Sequence, residues 1–91
     1  MWDKQITPVV NAFSQAINDQ AIIRDIAVKS GLSMQYVRTT PDAASYWTAV
    51  LERAQDEGTL RVDSVLNGAL ARTESPIAHD AVAAYWKSRE I

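Results

Sequence analysis

The sequence predicts an all-α fold, a compact bundle of six short helices whose third member is very short. Three observations carry this. Apolar residues recur at helical spacing through most of the 91 residues, no stretch alternates polar and apolar long enough for a strand, and three segments open with the same Ser/Thr–Pro pair. The length suits one domain near the lower end of what folds on a single core.

The first helix is expected from Thr7 as N-cap and Pro8 in the first turn, with Val9, Phe13, Ala16 and Ile17 on its inner face. The second runs from Asp19 to Gly31, a glycine suited to the left-handed conformation that closes a helix, with Ile22, Ile23, Ile26 and Ala27 inward. "SMQYV" gives the short third helix, capped by Ser33 and stopped by Pro41. A fourth is capped by Thr40 and ends before Gly58, carrying Tyr46, Trp47, Val50, Leu51 and Ala54 as a strong stripe. The fifth places Leu60, Val62, Val65, Leu66, Ala69 and Leu70 inward. The sixth starts at Ser75-Pro76 and buries Ile77, Ala81, Val82, Tyr85 and Trp86. Trp47 and Trp86 are thus core residues, whereas Trp2 precedes the first helix and is expected on a helix end or as an exposed contact. The chain starts at a plausible initiator Met1 and ends without a polar tail or helix stop, as an N-terminal module of a longer protein would.

Composition excludes several function classes. Cysteine is absent, which removes disulfides and thiolate metal sites and suits a reducing cytoplasm. The single histidine, His79, cannot build an imidazole cluster, and its neighbour Asp80 points about 100° away on a helix, so the two form no dyad. Neither Ser75 nor Ser88 has a base at an activating spacing. The three glycines are isolated, so no phosphate loop exists. No apolar run approaches the ~18–20 residues of a membrane span, and "MWDKQITPVV" lacks the pattern of a signal peptide. These features predict a non-enzyme with no metal and no cofactor.

Within residues 23–40, "IRDIAVKSGLSMQYV" has the spacing of a helix-turn-helix: Ala27, then Gly31, then Val37. A DNA-binding reading would make Ser33, Gln35, Arg38 and Thr39 the contacts. Position 40 is Thr where an apolar anchor is needed, and Pro41 limits the second helix to about two turns. Only Arg24, Lys29 and Arg38 are basic nearby, against the roughly six to ten phosphate contacts of a typical complex. A compact turn between core helices is therefore favoured over nucleic-acid binding. A helical cap on an enzyme encoded elsewhere in the chain is a third reading.

Net charge is −2, unevenly spread: residues 1–41 carry four basic and three acidic side chains, residues 42–91 five basic and eight acidic. This polarity suits a protein partner. The candidate interface groups are Arg24, Lys29 and Arg38 on the basic side and Asp56, Glu57 and Asp63 on the acidic side, each with an ordinary solvated charge as its plain alternative.

The segment "GLSMQYVRTTPDAASYWTAVLERAQDEGTLRVDSVLNGALARTESP" resembles the effector-associated domains of bacterial conflict systems. In that family a Trp- and Ala-containing helix is followed by a glycine and an Ala-Leu-rich helix. Trp47, Ala54, Gly58, Leu60, Val65, Leu66, Ala69 and Leu70 fill those roles here, and Ser75-Pro76 stands where the family often has Asn-Pro. The Phe-Pro turn of its best-known members is replaced by "AINDQA". The resemblance spans roughly residues 9–85. It implies a six-helix fold similar to death and caspase-recruitment domains. The implied function is that of a cytoplasmic adaptor, in which another copy or a related helical domain is the partner and association joins an effector to a sensor.

Overall fold

The computed structural model describes residues 4–89, so the expectation for Trp2 lies outside the described residues. Five α-helices form: α1 (Thr7–Ala16), α2 (Gln20–Lys29), α3 (Ala43–Glu57), α4 (Thr59–Leu70) and α5 (Pro76–Arg89). Two 3₁₀ turns accompany them, Lys4–Ile6 and Met34–Tyr36, and there is no strand among the described residues. The all-α expectation holds, but the count of six does not.

The short third helix is replaced by the single 3₁₀ turn Met34–Tyr36. Leu32 is buried and Met34 and Val37 pack on the core, so the segment contributes to the core without completing a helix. Pro41 keeps the residue before it out of the helical region. Gln20 Nε2 donates to the Thr40 carbonyl, tying the end of this segment to the start of α2.

The helix termini follow local chemistry. Asp19 caps α2 by accepting from the Ala21 N–H at 2.8 Å. At the other end Gly31 takes φ +83°. Its N–H donates to the Val28 carbonyl and the Leu32 N–H to the Ala27 carbonyl, the paired bonds of a Schellman closure. Ser75 Oγ faces the Ala78 N–H at 3.4 Å at the start of α5. The other two Ser/Thr–Pro pairs act differently from expectation. The first 3₁₀ turn leads directly into α1, so Ile6 takes the cap position and Thr7 lies inside the helix. Asp42, not Thr40, caps α3, accepting from both the Ser45 N–H and Oγ at 2.8 Å. Those two bonds hold its carboxyl below the usual carboxylate range.

Around α3, which packs on α1, α2 and α4, lies one core. Trp47 is fully buried, 4.9 Å from the Phe13 ring centroid, and its indole N–H donates to the Ile17 carbonyl at 2.9 Å. That bond satisfies a carbonyl at the end of α1 that the helix leaves without a partner. The stripe Tyr46, Trp47, Val50, Leu51, Ala54 is buried throughout. Three residues expected inward are not: Ile22, Leu60 and Ile77 are exposed, Leu60 by 83% and Ile77 by 65%. On α5 the buried positions are Ala78, Val82 and Tyr85, so Val82 and Tyr85 lie inward as expected while Ala78 takes the place expected of Ile77 and the far edge of the stripe is left less covered. Trp86 is consequently half-buried, its N–H donating to Asp63 Oδ1 at 3.0 Å. Gly68 sits inside α4 where an added Cβ would lie 3.3 Å from Ile26 Cγ2, so its lack of a side chain lets α2 and α4 approach closely.

Candidate interaction surface

The six charged candidates separate into two groups once their partners are known. Arg24 and Arg38 are exposed and have no hydrogen-bond or ion-pair partner among the described residues. Lys29 is also exposed but its ammonium lies 3.2 Å from Asp25. Asp25 in turn pairs with Arg72 at the end of α4, and these two cations, Lys29 first, hold its carboxyl below the usual range. Arg24 and Lys29 are five residues apart on α2, about 140° around its axis. The structure therefore turns Lys29 toward α4 and does not gather the basic trio on one face.

On the acidic side, only Asp56 is an exposed side chain. Asp63 is held by Arg89, with Oδ1 and Oδ2 at 2.9 and 3.2 Å from the two terminal guanidinium nitrogens, and by the Trp86 indole. Arg89 is correspondingly pushed up, chiefly by its bonds to Asp63. Glu57 is the clearest departure from an ordinary solvated charge. Its side chain is only 12% exposed. Oε2 accepts from Arg53 Nε at 2.8 Å and from the Ser33 N–H at 3.0 Å, while Oε1 accepts from Arg61 Nε at 3.1 Å.

This carboxylate is the centre of a clamp on the Ser30–Tyr36 segment. Arg61 reaches over to donate to the Ser30 carbonyl at 2.6 Å. The guanidinium of Arg53 lies 4.4 Å above the Tyr36 ring, a cation–π contact. An added Cβ at Gly31 would collide with the Arg61 guanidinium, so the glycine serves both the left-handed turn and the passage of that side chain. The signal for Glu57 in the sequence was its i, i+4 spacing to Arg53 and Arg61 on either side. The bond to Ser33, 24 residues away, had no such signal.

The stretch with helix-turn-helix spacing is thus a clamped corner. Its second helix, the element that would enter a DNA groove, is not formed, since only the three residues Met34–Tyr36 turn.

The Glu57 carboxyl is held down to about 2, from an ordinary 4.5, first by the Arg53 guanidinium and then by the Ser33 N–H. Because the folded value lies below the unfolded one, this stabilisation is fully present above pH ~4.5 and is lost as pH falls toward about 2. Glu57→Gln is expected to melt at a lower temperature than wild type at pH 7. It should also show a smaller further drop between pH 5 and pH 2, with Asp25 and Asp42 supplying the slope that remains. Thermal melts across that range check this; parallel curves for the two proteins would show that Glu57 contributes nothing to acid stability.

The His79 ring, through its Nε2–H, donates to the Thr73 carbonyl at 2.9 Å. No group of three or more His, Cys, Asp or Glu side chains able to hold a metal occurs among the described residues. No helix among them is long and apolar enough to cross a membrane. Comparison with protein-family models, with curated proteins and with solved structures gives no match for this chain.

Proposed function

We propose that this chain is a non-catalytic adaptor module of a cytoplasmic bacterial defence or signalling system, coupling an effector to a sensor by like-with-like association. The observation that carries the reading is where the effector-associated-domain positions fall. Trp47, Ala54, Val65, Leu66 and Ala69 are all fully buried, and Gly58 makes the corner between their two helices with φ +120°. Leu60 departs from the pattern by lying outside the core. A death-like arrangement of six elements is compatible with five α-helices and the Met34–Tyr36 turn in third place.

Association in this reading sets exposed cations of one copy or relative against exposed carboxylates of the next. Such head-to-tail contacts are heterologous and propagate beyond a dimer. Within the candidate set Arg24 and Arg38 are the cations without an ion-pair partner among the described residues, and Asp56 is the most exposed of the acidic candidates. Each exposed pair is worth about 0–1 kcal/mol and is screened within roughly 8–10 Å, so several must act together. Light scattering on wild type and on Arg24→Glu/Lys29→Glu/Arg38→Glu tests this. Wild type is expected to form assemblies larger than a dimer that shrink as salt rises, and the variant none. The double change Arg24→Glu/Arg38→Glu should carry most of the effect, because Lys29 is already tied to Asp25. Equal association of all three proteins at low and high salt would remove the basic groups from the interface.

A further inference from the structure

The outer face of α5 has a pattern that neither the core nor the proposed charge contacts account for. Pro76, Ile77, Asp80, Ala83, Ala84 and Lys87 are all exposed. At about 100° per residue they fall within one arc of roughly 120°, opposite the buried Ala78, Val82 and Tyr85. Along the axis the two alanines lie midway between Asp80 and Lys87, about 50° to either side of the line joining those two residues. Asp80 and Lys87 lie on either side of the midpoint between them, each about 5 Å along the axis at 1.5 Å per residue. Neither has an ion-pair partner among the described residues.

A helix face whose charges are opposite in sign and equidistant from a centre of small side chains is complementary to itself when turned end over end. The geometry points to a second copy of this chain as the occupant, docked α5 against antiparallel α5 about a two-fold axis passing between Ala83 and Ala84. Asp80 of each copy then meets Lys87 of the other, giving two identical ion pairs, as an isologous interface requires. The alanines let the helix backbones approach. A parallel pairing would set Asp80 against Asp80 and Lys87 against Lys87, so the charges also select the orientation.

The neighbouring surface favours close approach. α5 packs along α1, and no charged side chain occurs between Gln5 and Asn18. A shallow groove between the two helices is lined by Pro8, Ala12, Ile77 and Ala81 among others, with Asp80 its only charged residue. Depletion of charge is the compositional mark of an interface centre. This face lies apart from Arg24, Arg38 and Asp56, so the inference adds a symmetric contact to the self-association proposed above without depending on it.

Charge exchange tests it. Sedimentation equilibrium in the Arg24→Glu/Arg38→Glu background, where the head-to-tail charge contact is removed, is expected to show a concentration-dependent dimer. Asp80→Lys and Lys87→Asp alone each replace two attractive pairs by two repulsive ones, and should weaken dimerisation roughly ten- to hundred-fold. Asp80→Lys/Lys87→Asp together restore the pairs in reverse and should restore the dimer. All these positions are solvent-facing, so circular-dichroism melts should match wild type and exclude misfolding. Because the chain has no cysteine, Ala84→Cys supplies a second readout: mild oxidation should join two copies covalently, while Glu74→Cys should stay monomeric under the same conditions.

An Arg24→Glu/Arg38→Glu protein that remains monomeric, or single exchanges within it that dimerise equally well, would overturn the α5 interface. If Arg24→Glu/Arg38→Glu abolishes large assemblies but leaves the dimer, the α5 contact stands and the charge-driven contact stands with it. If that variant leaves every species unchanged while Asp80→Lys removes the dimer, the α5 contact stands alone.

Discussion

Trp47→Ala is expected to bring the domain close to unfolding. The indole is fully buried between α3 and α1 and rests on Phe13, and truncating such an aromatic costs about 3–5 kcal/mol. The same change leaves the Ile17 carbonyl without the donor it now has at 2.9 Å, and losing a partner for a buried acceptor costs a further ~1–3 kcal/mol. Domains of this size have a total stability of roughly 5–14 kcal/mol, so one side chain accounts for a large share. Urea unfolding followed by circular dichroism should give a much lower midpoint, or no folded baseline at 25 °C. Trp47→Phe separates the two contributions: the ring contact is largely kept and the N–H is lost, for an expected cost nearer the hydrogen-bond figure. A Trp47→Ala midpoint equal to wild type would place the indole outside the core and make it an interface candidate.

Gly58→Ala is expected to cost about 1–3 kcal/mol although it adds a methyl group into open space. Gly58 is the single residue between α3 and α4, with φ +120° and ψ +164°, a region that residues with a Cβ scarcely enter. No heavy atom lies within 4 Å of an added Cβ, so the whole loss comes from the backbone. Its N–H closes α3 on the Ala54 carbonyl and its own carbonyl receives the N–H groups of Arg61 and Val62 at the start of α4. Relaxing the strain by moving φ would therefore break bonds in both helices. The cost should be independent of side-chain size, with Gly58→Ser matching Gly58→Ala in chemical denaturation. An alanine variant as stable as wild type would mean that the corner has another conformation within reach.

The corner at Gly58 and the closure at Gly31 were legible in the sequence because helix ends are local chemistry. A glycine following a periodic apolar run, or Asp19 before one, satisfies or terminates a helix through atoms a few residues away. The stripe Tyr46, Trp47, Val50, Leu51, Ala54 was legible for the same reason, since its five residues share a face whatever that face meets. α2 shows the boundary of this: Ile23, Ile26 and Ala27 are buried as its pattern predicts, but Ile22, one position away, is not.

The tertiary structure decided which edge of each stripe meets a neighbour. Leu60 and Ile77 carry apolar side chains near the starts of α4 and α5, and both point to water because the adjoining helices pack elsewhere along those helices. Helical spacing defines an arc, whereas burial depends on the direction and reach of the neighbouring elements. The third helix failed on similar grounds: Ser33 is held by Glu57 and Thr40 by Gln20, contacts 24 and 20 residues apart that no local window contains. Charge behaved likewise. Glu57 and Asp63 had a solvated charge as their plain reading along the chain, and only the folding of the Ser30–Tyr36 segment onto α3 gave Glu57 its Ser33 bond, and of α4 against α5 gave Asp63 its Arg89 ion pair. What the amino-acid order determined was the five longer helices and their closure at Gly31 and Gly58; what the packing determined was the fate of the third segment and which side chains remain free to meet another molecule, because freedom is a property of surroundings and not of sequence position.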